Sequence, residues 1–423
     1  MLRFSSSPTA DMHIGDLRIA LFNYITSKQR NEDLIVRIED TDKQRNIEGK
    51  DKEILDILDL FGLRYSQTVY QSESVRFHTA MALQLMHEKK AFSCFCSDEW
   101  LDKKRDESKE KQEAYRYDDA CANLPAELVI DNMNPFSIRI NKPTEEIIIK
   151  DHIKGEVTVK PEELESFVIM RQDKTPTYDF ACAVDDMLND ISIVIHSEEY
   201  MSNTPKQEHI RSSLKYDKKI EYAHLPNLLN ADTLSVKWLL EEGFLPEAIS
   251  NYLISTGNKP PKEIFTLSEA LEWFSLENIS KSPAGFDIDI LRHINSEHLK
   301  MLDAKELSRY VGFADEEIGH LARVYLEEVS TTKELKSKIK AIFDSKEIPQ
   351  EFTEPSALIV KTIKSAPYFE DYNDFKNYTL KESGLKEEDL SKALPYILTG
   401  TGDGPDIAEI YKYIKNYIGE IVK

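Results

Sequence analysis

The 423-residue chain has no apolar run that approaches the ~20 residues needed to cross a bilayer. It therefore predicts no membrane-spanning helix and no membrane partner. Its opening, Met1-Leu2-Arg3-Phe4-Ser5-Ser6, lacks a basic stretch followed by an apolar one, so no secretory leader is read and a cytoplasmic protein is expected. Cysteine is scarce: Cys94, Cys96, Cys121 and Cys182 are too few for a disulfide framework in a chain this long and read as thiols or metal ligands. Glycine (14) and proline (17) are modest, which excludes collagen-like and low-complexity chains. Basic residues are outnumbered, 54 Lys and Arg against 76 Asp and Glu, for a net charge of −22. That disfavours a protein that coats duplexes nonspecifically. A local basic face can still bind phosphates, so the balance predicts selective contact with any polyanion.

What remains is an ordinary globular composition, 41% apolar and 31% charged, on a chain too long for one core. Two to four domains are expected. The first 75 residues alternate buried strands and amphipathic helices: a strand at Leu2-Arg3-Phe4, a helix from Ile14, a strand over residues 34–38 and a helix over 50–61. That rhythm predicts a parallel α/β sheet with its site at the carboxyl ends of the strands. Residues 76–185 break the rhythm with a charged helix (98–113) and extended runs at 136–140 and 165–170, as an insertion would. The chain returns to the sheet with the β-branched run 190–195. Beyond about residue 235 the pattern is helical, with Pro, Gly or Ser breaks and no strand-rich section.

Two stretches carry chemistry. Ser7-Pro8-Thr9-Ala10-Asp11-Met12-His13-Ile14-Gly15-Asp16 joins the first strand to the first helix. A His just before a Gly at a helix N-terminus suits a nucleotide's phosphates. The amides and the helix dipole favour the anion, the ring donates a hydrogen bond, and Gly permits close approach. For His-x-Gly alone, a capping turn is the commoner meaning. Arg37-Ile38-Glu39-Asp40-Thr41-Asp42 then places three carboxylates at the end of a buried strand, where they can hold an ammonium group or a ribose hydroxyl, or merely cap the next helix.

In combination these segments resemble the class I aminoacyl-tRNA synthetases, specifically the bacterial glutamyl-tRNA synthetases. The likeness continues in order through Thr175-Pro176-Thr177-Tyr178, Val184-Asp185-Asp186, Ser202-Asn203-Thr204-Pro205-Lys206-Gln207, Ala223-His224-Leu225-Pro226 and Glu241-Glu242-Gly243-Phe244-Leu245-Pro246. The resemblance implies a Rossmann-type catalytic domain at residues 1–75 and 186–228 and an acceptor-end-binding insertion at 76–185. It further implies a helical stem-contact junction at 229–305 and a helical anticodon-binding region at 306–423: α/β followed by all-α. It implies ATP-dependent activation of glutamate to glutamyl-AMP, transfer to the 3′ end of a glutamate- or glutamine-accepting tRNA, Mg²⁺ accompanying ATP, and a monomer. Carried over by position, His13 and Gly15 fall in the catalytic signature, and Thr9, His13, Gly15 and Asp16 in the ATP site. Arg3, Ser5, Ser7, Glu39, Tyr178 and His196 fall where the amino acid is bound.

The chain also departs from that pattern. A Lys-(Leu/Met)-Ser-Lys-Arg loop is expected after Pro226. Here Asn227-Leu228-Leu229-Asn230-Ala231-Asp232-Thr233 runs directly into Leu234-Ser235-Val236-Lys237-Trp238, which reads as the start of the next helix and not as a catalytic lysine loop. His196 stands where the family has an Arg that pairs with the substrate's side-chain carboxylate. Imidazole offers at most one charged hydrogen bond in place of a bidentate fork. Ala10 replaces a Gly and Ser6 a Pro. These changes raise the alternative of a synthetase paralogue retained for tRNA or nucleotide binding, with weak turnover. Finally, Cys94, Cys96 and Cys121 approximate a zinc knuckle, but the expected fourth position holds Asn123, so zinc is not expected on sequence grounds.

Overall fold

The computed structural model describes residues 1–113, 115–231 and 234–423. They divide into two compact units. The first comprises Met1–Val236, Ile254–Pro261 and Leu267–Phe286; the second comprises Lys237–Leu253, Lys262–Thr266 and Asp287–Lys423.

The first unit is built on a seven-stranded sheet. Its strands are β1 (Leu2–Ser6), β2 (Leu34–Ile38), β3 (Gln67–Tyr70), β6 (Ile147–Asp151), β7 (Gly155–Val159), β9 (Ile193–Ser197) and β10 (Glu221–Leu225), in the order β3-β2-β1-β9-β10-β6-β7. All neighbours are parallel except the β6–β7 hairpin. Continuous apolar runs such as Leu-Ile-Val-Arg-Ile in β2 suit strands covered on both faces. Helices α1 (Ile14–Arg30), α2 (Lys50–Leu60), α3 (Val75–His87), α6 (Tyr178–Leu188) and α7 (Thr204–Ser213) accompany the strands. Strand order reverses between β1 and β9, and an α/β sheet opens its binding crevice at the carboxyl end of such a switch.

Helix α1 starts and stops for local reasons. His13 is its N-cap: the ring accepts from an amide in the first turn, and the Asp16 carboxylate accepts the His13 N–H in return, which forms a capping box. Asn31 closes the helix in the left-handed conformation (φ 52°), a role that Asn tolerates better than most residues. Leu17, Leu21, Phe22 and Ile25 bury one face.

Residues 76–185 behave as an insertion only in part. Strands β4 (Ala91–Cys94), β5 (Ser137–Ile140) and β8 (Phe167–Met170) form a separate three-stranded antiparallel sheet. Helix α4 (Asp98–Glu110) follows β4, and α5 (Ala126–Ile130) precedes β5. Strands β6 and β7, however, pair onto the main sheet through Tyr222 of β10 and Asp151 of β6. The boundaries read at residues 75 and 186 therefore cut across hydrogen-bonded strands. The short β11 (Leu228–Leu229) pairs with β12 (Ala284–Gly285) within the same unit.

The second unit is helical, as the pattern beyond residue 235 predicts. Its helices include Ile288–Met301, Ala304–Val311, Glu316–Val324, Thr332–Phe343, Thr353–Lys364, Glu387–Thr399 and Ile407–Ile414. Asp303 with Glu306, and Thr331 with Glu334, form capping boxes that set two of the helix starts. No helix among the described residues is long and apolar enough to cross a membrane.

Gly319 marks where two of these helices approach backbone to backbone: a methyl group there would lie 1.7 Å from the Ala304 carbonyl oxygen. Gly319→Ala is expected to destabilise the protein by about 1–3 kcal/mol, the usual range for overpacking. Gly419→Ala, where a methyl meets nothing within 4 Å, is expected to stay within about 0.5 kcal/mol, as surface changes usually do. Urea unfolding followed by circular dichroism checks the pair; equal midpoints for the two variants would show that the helices part without cost.

Candidate active site

At the switch point the β1–α1 turn folds back on itself around His13. The imidazole Nδ1 accepts the Gly15 N–H at 3.0 Å, so the ring proton sits on Nε2, which donates to the Ala231 carbonyl at 2.5 Å. Gly15 is needed for this approach, because a Cβ there would lie 3.1 Å from Nδ1. Two backbone bonds seat residues 234–236 on the same turn: Ile14 N–H to Leu234 O and Val236 N–H to Met12 O. Burial raises the pKa of Asp16 despite the nearby His13. Thr9 is half-buried beside the exposed Ser7, its N–H bonded to the Ser7 carbonyl.

Beneath the turn lies a buried charge network. Arg3 on β1 donates through Nε and Nη2 to the two oxygens of Asp186, at 3.1 and 3.3 Å. Arg37 on β2 donates to Asp186 at 2.5 Å and to Glu39 Oε1 at 3.1 Å. The Cys182 thiol donates to the same Glu39 oxygen at 3.4 Å. Burial pushes the Asp186 carboxyl upward, but the charges of Arg3 and Arg37 outweigh it and hold the group well below the ordinary carboxylate range. Next to Asp186, Asp185 accepts from His78 at 2.7 Å and from Gln71 at 2.9 Å.

His196 ends β9 beside this network. Its Nδ1 accepts the Ser197 N–H at 2.9 Å, and its ring lies 4.0 Å from that of Tyr200. Burial, reinforced by the charge of Arg3, lowers its pKa well below the ordinary value, so it is neutral at pH 7. Tyr178 packs 5.7 Å from Tyr200, and its hydroxyl is kept protonated by burial. Tyr200 responds to both sides of the crevice: burial, then Glu39, then Asp16 raise its pKa. The Ser5 hydroxyl is buried with no partner among the described residues.

The sequence-predicted residues thus gather in one place. Arg3, Glu39, Tyr178 and His196 converge at the ends of β1, β2 and β9, with His13, Gly15 and Asp16 on the adjoining turn. Arg37, Cys182, Asp186 and Tyr200 were not singled out from sequence as site residues. A charged residue inside the apolar run of β2, and the doubled aspartate on a helix facing the sheet, were the available signals. Lys237 lies exposed on a helix, Val236–Glu241. Asp232 and Thr233, part of the stretch where the lysine loop is expected, lie outside the described residues.

The cysteine cluster forms a second centre. The sulfurs of Cys94, Cys96 and Cys121 all lie within 4.8 Å of one another, and those of Cys96 and Cys121 are 3.6 Å apart. Tetrahedral zinc–thiolate geometry needs sulfurs about 3.8 Å apart. A fourth donor comes from Tyr117, which lies near the cysteines in sequence without completing a zinc site on spacing alone: its hydroxyl sits 3.4 Å from Cys94 Sγ and 3.5 Å from Cys96 Sγ. Three thiols and a phenol fit a single soft divalent ion. Burial, partly offset by Tyr117 and reinforced by Cys94, pushes the Cys96 thiol up to about 12.

Asp186→Asn leaves the buried Arg3 guanidinium without a carboxylate partner and Arg37 with Glu39 alone, and breaking such a buried pair is expected to cost about 3–5 kcal/mol. Because the folded-state pKa is depressed, this stabilisation is full above the unfolded carboxyl's pKa of about 3.9 and fades as pH falls below it. The urea midpoint of the wild type should therefore drop more steeply than that of the variant between roughly pH 4 and pH 2. Parallel profiles would remove Asp186 from the acid-sensitive groups.

Comparison with known proteins places this crevice in context. A family model described as tRNA synthetases class I (E and Q), catalytic domain, matches residues 1–293. A protein of Sulfurimonas denitrificans named glutamate–tRNA ligase 2 is 67% identical over 432 positions, covering all of both chains. Glutamate–tRNA ligase 1 of Nitratiruptor is 52% identical over the same span. Against 423 residues here, those 432 aligned positions include nine with no residue in this chain. A solved glutamate–tRNA ligase of Elizabethkingia meningosepticum, crystallised with its amino acid, shares the fold with a TM-score of 0.82 at 24% identity, over 100% of this chain and 98% of that one. The chain belongs to the class I tRNA synthetases of the glutamate and glutamine branch.

Proposed function

We infer that the protein is a glutamate–tRNA ligase. The observation that carries this reading is the full-length identity with ligases of that name, 67% and 52%. In the reaction, the glutamate α-carboxylate attacks the α-phosphorus of ATP, pyrophosphate leaves, and glutamyl-AMP forms. The terminal adenosine hydroxyl of tRNA then attacks the acyl carbon, AMP leaves, and the ester remains. The chain supplies positioning and charge stabilisation and no covalent intermediate of its own.

In this reading the His13 turn receives the ATP phosphates. His13 Nε2–H donates, Gly15 and Asp16 stand at the positive end of α1, whose dipole favours the anion, and Thr9 lies alongside. Mg²⁺ would enter with the phosphates, as it usually does at such sites. Arg3, Ser5, Ser7, Glu39, Tyr178 and His196 surround the amino acid. The charge of Arg3 suits a carboxylate, the Glu39 carboxylate suits the ammonium group, and neutral His196 offers one N–H. Residues 76–185 would receive the acceptor end, 229–305 would contact the stem, and 306–423 would read the anticodon of a glutamate- or glutamine-accepting tRNA. We place the protein in the cytoplasm as a monomer. The relatives lend no support to a binding-only paralogue. Zinc, when bound at Cys94, Cys96, Cys121 and Tyr117, supplies a structural cross-link and no step of the reaction.

Charging of purified glutamate- and glutamine-accepting tRNAs with radiolabelled glutamate tests the assignment. ATP-dependent esterification of at least one is expected, and its absence in folded protein that binds tRNA would overturn the ligase reading. His13→Ala is expected to lower kcat by about 10²–10³, as loss of a preorganised transition-state donor does. His196→Arg should lower KM for glutamate, because a fixed bidentate cation replaces a neutral ring; an unchanged KM would take His196 out of amino-acid recognition.

A further inference from the structure

Arg139 is a buried cation without an acidic partner. It lies on β5 with 6% of its surface exposed, and among the described residues no carboxylate comes within ion-pair distance of it. Burying an unpaired guanidinium is costly, so its counter-charge must come from elsewhere. Every contact it makes leads to the cysteine cluster or the strand beside it. Nε donates to Cys94 Sγ at 3.3 Å, Nη1 donates to the Ser166 carbonyl at 3.1 Å, and the guanidinium carbon lies 3.8 Å from the centre of the Tyr117 ring. Strand register explains the placement. Arg139 sits opposite Phe92 on β4, and Cys94, two residues further along, shares the face of Phe92.

We propose that Arg139 supplies the positive charge that lets Cys94, Cys96, Cys121 and Tyr117 hold a zinc ion. Charge counting gives the reason. Zn²⁺ with three thiolates and a neutral phenol carries one net negative charge, and one guanidinium brings the centre to zero. The same side chain fixes two of the four donors, Cys94 by a hydrogen bond and Tyr117 by stacking, as the outer partners of metal ligands commonly do. Arg139 is thus a positioning residue for the metal centre, and the inference rests on the zinc reading.

The test measures zinc in the intact protein. Metal content of the purified chain comes first, by mass spectrometry; absence of zinc, with no uptake on titration, defeats the zinc reading itself. If zinc is present, competition with a chromophoric chelator gives the affinity of the wild type, Arg139→Gln and Arg139→Lys. Removing the charge should weaken binding by about 10- to 100-fold, while Lys, which keeps the charge, should recover most of that loss. Cobalt substitution gives a second readout, since the thiolate absorption band should shift in Arg139→Gln and a merely structural side chain would leave it in place. Equal zinc affinity in folded Arg139→Gln overturns the inference. Should that variant not fold, Arg139→Lys decides alone: a loss greater than about tenfold with the charge retained overturns charge compensation.

Discussion

The first unit is organised around charges that cannot leave. Arg3 and Arg37 stand on adjacent parallel strands, both essentially buried, and share the carboxylate of Asp186 from helix α6. Two guanidinium groups in an apolar sheet are tolerable only if an anion reaches both, and Asp186 is the group that does so from the opposite side. Glu39 closes the arrangement by taking the second fork of Arg37. The consequence is geometric as much as energetic. Helix α6 cannot slide along the sheet without stranding a charge, so Tyr178 and Cys182 on that helix are held in register with the ends of β1 and β2. Buried ion pairs are weak evidence for net stability, but they are good at selecting one arrangement among many.

Much of this was legible before any coordinates. The strands at residues 2–6 and 34–38 and the helices from Ile14 and Lys50 declare themselves, because apolar runs and 3.6-residue spacing are local signals. The carboxyl end of the second strand follows from the α/β rhythm alone, and Glu39 is found there, while His196 lies near the end of β9. What stayed hidden depends on pairing over long separations. The β6–β7 hairpin carries nothing in its own residues to say that it adds to the main sheet. Its partner, Tyr222, lies 71 positions beyond Asp151, and a single bridge makes the connection. Likewise Tyr117 lies near the cysteines in sequence, but spacing alone does not make it a convincing ligand. It becomes a candidate donor only when β4 and the loop before α5 bring its hydroxyl among three sulfurs.

The acidic total also has a local reading. Much of the basic charge on the helix faces is paired with Glu or Asp at i, i+3 or i, i+4 spacing, as at Lys104–Glu107, Lys109–Asp106 and Lys392–Glu388. Pairs that exposed contribute little stability. Their effect is to leave no continuous basic surface along those helices, so a polyanion is repelled except where cations cluster. For a protein that must select a few tRNAs among many nucleic acids, weak general attraction is an advantage, since discrimination is a difference of affinities and not their sum.

The His13 turn satisfies both ring nitrogens from within the chain. The ring has one proton to give. Gly15 takes up Nδ1 as an acceptor, so the proton must reside on Nε2, and here it goes to the Ala231 carbonyl. A phosphate oxygen that approaches Nε2 competes with that carbonyl for the same hydrogen. The exchange is nearly balanced in hydrogen bonds, and what tips it is charge: an anion gains from the N-terminal dipole of α1 and a backbone carbonyl gains far less. In the proposed reading, the Ala231 carbonyl satisfies the ring within the chain and a phosphate satisfies it better, as a binding site on an otherwise anionic protein requires.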